Sequence, residues 1–254
     1  MPSPATPNFF VLPAYNEEDN IGRLLADLEA RPELYPVGSR VIVVDDGSQD
    51  RTAEVVEAYV GPLPVELVRL PENQGPGAAF RAGFAAALDR GDVELHGPAP
   101  LRFVITLESD TTSDLDALPA MLERARAGAD LVLADWRMVN VPRLRRVLSH
   151  GAGWFARRAL GLDAHCVSSF FRVYRASLLE RGVACYGDGL IRERGFACKA
   201  ELLAKLAALG ARIEEVPVAL DTSQRIGDSK MPVFRTFLAY WRMMARELAA
   251  GSRA

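Results

Sequence analysis

Cysteine is scarce in this chain, with only Cys166, Cys185 and Cys198 among 254 residues. So small and odd a number excludes a disulfide framework and fits a reducing compartment. Histidine is equally scarce. His96, His150 and His165 have no metal-ligand spacing to one another or to the cysteines, so no zinc site is expected. No run of about 18 apolar residues occurs, which leaves no candidate membrane span. Met1 to Pro7 lacks the basic and apolar regions of a secretory signal. Neither sign of charge dominates: 30 Lys+Arg against 33 Asp+Glu gives a formal charge of −3, a poor basis for binding nucleic acid. These absences predict a cytoplasmic protein with no nucleic-acid partner.

Familiar cofactor motifs are missing too. No Gly-x-Gly-x-x-Gly follows the first strand pattern, which argues against a nicotinamide enzyme. Gly75-x-Gly77 lacks the further glycine and the Lys-Ser/Thr of a P-loop. There is no His-Glu-x-x-His and no Gly-x-Ser-x-Gly elbow.

What is present is an alternation of short apolar runs and helical patterns. Hydrophobic residues make up 49% and charged residues 25%, as in an ordinary folded domain. Phe9–Leu12, Val41–Val44, Val65–Leu70, Leu101–Leu107 and Leu131–Ala134 read as strands. Between them, Ile21, Leu24, Leu25 and Leu28 mark one helix. Thr52–Tyr59 and Gly77–Leu88 read as two more, and Leu115, Leu118, Leu122 and Ala125 mark another. Such alternation predicts βαβ units around a mainly parallel sheet. Further on, a helix is expected from Pro142 to about Leu160, a strand at Phe170–Tyr174 and a helix at Ala200–Leu209 closed by Gly210. Ile213–Leu220 reads as a strand that Pro217 confines to an edge. Phe234, Phe237, Leu238, Trp241, Met244, Ala245 and Leu248 form a helical stripe, and Gly91–Pro100 reads as a loop.

In parallel sheets ligands bind beyond the carboxyl ends of the strands. The segments there are Pro13-Ala-Tyr-Asn-Glu-Glu18, Asp45-Asp-Gly-Ser48, Asn73-Gln-Gly-Pro-Gly77 and Glu108-Ser-Asp110. Each alone is ordinary turn or helix-start chemistry; four at successive strand ends point to one site. Glu108 and Asp110 offer oxygens for a hard cation, Mg²⁺ or Mn²⁺, which would share its remaining coordination with substrate phosphates. Asp45 and Asp46 can accept hydrogen bonds from a ribose or base, and Tyr15 offers a ring face. Together they suggest a nucleoside diphosphate with a bound metal.

These motifs, in this order, resemble glycosyltransferase family 2 with its GT-A fold. Ser168-Ser-Phe-Phe-Arg172-Val-Tyr-Arg175 and Arg225-x-Gly227-x-Ser229-Lys230 resemble its dolichol-phosphate (polyprenyl-phosphate) mannosyltransferase branch. The similarity runs over about residues 8 to 245. It implies an α/β fold: a mixed, mainly parallel sheet flanked by helices, with a C-terminal amphipathic helix. Residues 8–135 would form the nucleotide-sugar-binding half and 136–230 the acceptor-binding half of one domain, followed by a helix over 231–250.

The implied activity is inverting, metal-dependent hexose transfer from a GDP or UDP sugar to a polyprenyl or dolichyl phosphate. By the resemblance, Pro13, Tyr15 and Glu17 belong to the nucleoside loop, with Asp45, Asp46 and Gly75 also on the nucleotide sugar. Glu108 and Asp110 match the metal-binding Asp-x-Asp. Arg172 matches an arginine near the transferred sugar and phosphates, and Arg225, Ser229 and Lys230 match a loop that closes over phosphate. The chain departs from the family with Glu108 in place of the first Asp, with Cys166 where an Asp is usual, and at Thr112 and Ser113.

Two other readings stay open: a related transferase with a soluble hydroxyl acceptor, for which His165, Asp163 or Glu201 would be candidate bases, and a nucleotide-sugar-binding subunit without catalysis. Trp136 to Leu162 carries six arginines and no acid, a pattern compatible with peripheral contact at the cytoplasmic membrane face.

Overall fold

The computed structural model describes residues 6–89, 101–111, 113–138, 164, 166–167, 169–220 and 238–246. The expected loop at 91–100, the helix from 142 to 160 with most of the arginine segment, Thr112, Asp163, His165, Ser168 and the Arg225–Lys230 motif lie outside them.

Seven strands form one sheet: β1 (Asn8–Ala14), β2 (Arg40–Asp45), β3 (Val65–Arg69), β4 (Phe103–Thr106), β5 (Leu131–Met138), β6 (Arg172–Arg175) and β7 (Ile213–Leu220), in spatial order β3-β2-β1-β4-β6-β5-β7. β1 is parallel to β2 and β4, and β2 to β3. β6 enters antiparallel between β4 and β5, and β7 lies parallel outside β5. Pro217 sits on this edge strand opposite Asp135, where its missing N–H breaks no interior ladder.

The run Val41–Val44 is buried throughout because helices cover both sheet faces. One face holds α1 (Ile21–Glu29) and α4 (Leu118–Arg126). Ile21, Leu24, Leu25 and Leu28 all turn inward from α1, and each buried leucine contributes about 1.5–3 kcal/mol. The short α2 (Thr52–Glu57) adds Val56 to the same face. The other face holds α3 (Pro76–Leu88), α5 (Ala176–Tyr186) and α6 (Cys198–Ala208). Alternation along β4 and β6 puts Val104 and Tyr174 on this second face, and Phe103 and Val173 on the first.

Two sequence expectations need amendment. α5 carries no helix signal strong enough to separate it from the strand before it, yet Leu178, Leu179 and Gly182 are buried. Of the C-terminal stripe, Phe234, Phe237 and Leu248 lie outside the described residues; in the helical segment 238–246, Met244 is buried in the second face together with Met243, while Leu238 and Trp241 are 40% and 46% exposed. Among the described residues no helix is long and apolar enough to cross a membrane.

Candidate active site

The four expected loops meet at the carboxyl ends of β1, β2 and β4. The first two are knitted together. Asn16, in a left-handed turn at φ 52°, donates its N–H to Ser48 Oγ (2.9 Å), and its Oδ1 accepts from Gln49 N–H (2.8 Å). Asparagine tolerates that turn better than most residues. Glu17 N–H donates to Thr52 Oγ1 (2.7 Å), while the Glu17 carboxylate accepts from Asn20 Nδ2 (2.8 Å). Pro13 lies past the end of the β4 pairing, so its lost N–H costs no ladder bond, and its carbonyl accepts from Ser109 Oγ (2.7 Å). Tyr15 is half-buried beside it.

Asp45 and Asp46 are almost entirely buried. Asp45 Oδ1 accepts from Ser48 N–H (3.0 Å), a local side-chain bond that closes the Asp45–Ser48 turn. Asp46 reaches across to the glycine-rich loop, its two oxygens accepting from Gln74 and Gly75 N–H at 2.8 Å each. Burial pushes the Asp46 carboxyl up, and those two N–H groups pull it back. Gly75, at φ 88°, opens α3 with Pro76 behind it. A Cβ there would stand 2.5 Å from Arg194 O, and the neighbouring Gly77 donates its N–H to that same carbonyl (2.9 Å). Glycine is therefore demanded by the close approach of the 193–194 main chain. These acids and glycines first of all hold the site's own loops.

The acid pair is asymmetric. Glu108 Oε1 accepts from Phe170 N–H (3.1 Å) and Oε2 from Ser113 Oγ (3.0 Å), so the carboxylate ties the end of β4 to the segment entering β6. Thr106 Oγ1 donates to Phe170 O in the same tie. Burial pushes the Glu108 carboxyl up; Lys199 opposes the shift and Asp110 adds to it. Asp110 is half-buried and is followed by Thr111 at φ 58°, a strained conformation for a β-branched residue. Strain of this kind persists where the surroundings over-determine it, and it marks the turn that presents Asp110. No cluster of three or more His, Cys, Asp or Glu that could hold a metal occurs among the described residues. Two carboxylates on one turn, each oxygen with two lone pairs, suit a hard cation that takes its other ligands from phosphate and water.

Arg172, which the resemblance puts near the transferred sugar and phosphates, is itself enclosed. β6 alternation turns its side chain under α6, 1% exposed, where it donates to the carbonyls of Lys199 (2.9 Å) and Val167 (3.1 Å). Its Nε has no hydrogen-bond partner among the described residues. It orders the segment behind the cleft and faces no solvent.

Glu201 is likewise unsuited to act as a base. It is fully buried, with Oε2 accepting from Arg192 and Glu193 N–H (2.8 Å each) and Oε1 from Lys205 Nζ (2.6 Å) and Arg246 (2.7 Å). Cys166 is buried and donates its N–H to Glu215 Oε1 (2.9 Å).

One residue was absent from the sequence expectations. Lys199, in the first turn of α6, is 9% exposed, with its ammonium 4.0 Å from the centre of the Phe170 ring and 5.4 Å from that of Phe196. A lysine at the start of a helix reads as solvated, and only the packing of α6 over β6 reveals otherwise.

The chain was compared with known proteins. The family model of Glycosyl transferase family 2 matches residues 9–183. An undecaprenyl-phosphate mannosyltransferase of Micrococcus luteus is 31% identical, over 87% of this chain and 86% of that one. A polyprenol monophosphomannose synthase of Mycolicibacterium smegmatis is 28% identical, over 90% and 82%. Among solved structures, glucosyl-3-phosphoglycerate synthase from Mycobacterium tuberculosis, in complex with Mn²⁺, UDP and glucosyl-3-phosphoglycerate, superposes with a TM-score of 0.66 at 19% identity, over 96% of this chain and 80% of that one. The sheet of mixed, mainly parallel strands is thus that of the GT-A fold.

Proposed function

The chain belongs to glycosyl transferase family 2, and from that premise we propose that it moves a hexose, with inversion, from a nucleoside-diphosphate sugar to a polyprenyl phosphate. The observation that carries this reading is the reach of the similarity to the Micrococcus luteus enzyme. It covers 87% of the chain, more than the donor half alone can account for.

The donor, a GDP-mannose or UDP-hexose, would lie over Pro13, Tyr15 and Glu17 with Asp45, Asp46 and Gly75 around its nucleoside. Asp110 and Glu108 would hold Mg²⁺ or Mn²⁺. When bound, such a cation offsets the negative charge developing on the departing diphosphate. By the resemblance, Arg225, Ser229 and Lys230 serve the same phosphates.

The acceptor chemistry agrees with what the described residues offer, Asp163 and His165 lying outside them. A phosphate monoester has its second pKa near about 6, so it is mostly dianionic at neutral pH and attacks without losing a proton. A hydroxyl acceptor needs a positioned base. Glu201 is committed to four hydrogen bonds, and a cysteine stands at position 166. Action at the cytoplasmic membrane face, by peripheral contact, would bring the site to such a lipid.

A transfer assay tests the reading: GDP and UDP sugars, with and without Mn²⁺, offered to a short-chain polyprenyl phosphate and to soluble sugars. Transfer to the lipid phosphate alone is expected. Transfer only to hydroxyls would replace this reading by the soluble-acceptor one, and nucleotide binding without any transfer would make the chain a binding subunit. Asp110→Ala should abolish metal-dependent nucleotide binding; retained binding would move the site elsewhere.

A further inference from the structure

Lys199 and Arg172 place two cationic side chains side by side under the acceptor segment, each at least nine-tenths buried. Arg172 donates to two main-chain carbonyls and leaves Nε unpartnered. Lys199 Nζ donates no hydrogen bond among the described residues; two aromatic rings are what it touches. Glu108 is the carboxylate that acts on Lys199, and its two oxygens are held by Phe170 N–H and Ser113 Oγ. The next acid along α6, Glu201, is neutralised by Lys205 and Arg246. The pocket therefore holds two positive charges against one negative.

The two cations differ in access. Arg172 Nε is enclosed without an acceptor, whereas Lys199 Nζ is not fully enclosed. An anion can therefore reach the Lys199 ammonium directly, with the Arg172 charge close behind it. Glu108, the carboxylate that acts on Lys199, stands two residues before Asp110, where the transferase reading puts the phosphates.

We propose that Lys199 is a phosphate-binding residue: its ammonium, steadied by Phe170 and Phe196 and backed by Arg172, takes an anionic oxygen of a phosphate group, that of the acceptor monoester or that of the donor diphosphate. The assignment rests on the transferase reading for the identity of the phosphate but on the packing alone for its existence.

The test uses the full chain and its Lys199→Met and Lys199→Arg variants, titrated with a short-chain prenyl phosphate, with inorganic phosphate, and with GDP and UDP in the presence of Mn²⁺. Methionine keeps the length of the stem and removes the unsatisfied charge, so the variant should melt at the wild-type temperature or above it. It should nevertheless bind prenyl phosphate at least about tenfold more weakly, the scale of one charge-assisted hydrogen bond. The acceptor KM should rise with kcat little changed, and Lys199→Arg should recover part of the loss. A loss confined to GDP or UDP gives the oxygen to the donor and upholds the subsite.

Unchanged affinity for every phosphate probe in a folded Lys199→Met protein would overturn the proposal. A wild-type chain that binds phosphate through Lys199 yet transfers no sugar would remove the transferase reading and leave this subsite standing.

Discussion

On the β1–β2–α3 side of the cleft, the carboxylates of Glu17, Asp45 and Asp46 are met by N–H groups of their own and neighbouring loops. On the β4–β6–α6 side, Arg172 Nε has no acceptor among the described residues and the Lys199 ammonium lies against aromatic rings. The first side is held by its own hydrogen bonds. The second presents positive charge that an anion can meet. A transferase has reason for such a division. The nucleotide must be held in one fixed pose, whereas the group that attacks it has to be drawn in and oriented.

Glu201 joins the two sides, since its carboxylate holds the 192–193 main chain, next to the segment packed on Gly75 and Gly77, and sits two residues from Lys199. Glu201→Gln removes the carboxylate charge that pairs with buried Lys205, while Arg246 keeps Glu193 (2.8 Å), and should cost about 3–5 kcal/mol in urea denaturation. If nucleotide and prenyl phosphate affinities fall together, the link is real; loss of one alone would show the sides to be independent.

Asp46→Ala comes next. It removes the acceptor of two part-buried N–H groups, of which Gly75 keeps Asn73 Oδ1 (3.1 Å), and should cost about 1–3 kcal/mol. Nucleotide affinity should drop while the folded fraction still binds prenyl phosphate. A parallel loss of both would erase the distinction between the two sides.

A smaller, reversible effect is expected from ligand alone. Phosphate at a hundredfold excess over its Kd stabilises the bound form by up to about 2.7 kcal/mol. Hydrogen exchange should slow in residues 169–171 and the first turn of α6, and stay unchanged at 14–18 and 45–49. Equal protection on both sides would contradict a preformed donor region.

The least perturbing probe is chemical. Burial pushes the Cys198 thiol up to about 12, whereas Cys185 is exposed. Between the unfolded value of about 8.5 and 12, the unfolded chain releases a proton that the folded chain keeps, so Cys198 lowers folding stability as pH rises through that window. Cys198→Ala should flatten the alkaline decline. In the native wild type, a thiol reagent at pH 8 should modify Cys185 and spare Cys198.

The donor side was legible in sequence because its logic is local. Asp-Gly-Ser encodes its own turn, β-branched runs encode buried strands, and Pro217 announces an edge. The acceptor side was not, because its logic is tertiary. Arg172 in an apolar run reads as a residue pointing at substrate until the antiparallel entry of β6 is known, and that pairing joins residues 66 or more positions apart in β4. Lys199 and Glu201 sit two apart on one helix and look alike as surface charges. Only their partners separate them, one saturated with hydrogen bonds and the other with none. The described part of the last helix departs from the expected stripe for a related reason: packing buries Met243 beside Met244 and leaves Leu238 and Trp241 exposed.

The insertion of β6 between β4 and β5 bears on how the chain is made. During synthesis, β4 and β5 emerge before β6 exists, and neither can pair with the other in the final order. Each therefore waits as an open edge, the form of strand most prone to join a strand from another molecule. β5 joins the sheet only when Arg172–Arg175 slides into the gap, and its other edge waits for β7. A nascent chain halted before Arg172 would carry the parallel pairs of the donor half and an adhesive flank, so the short strand behind the acceptor segment is also a seal against joining other chains.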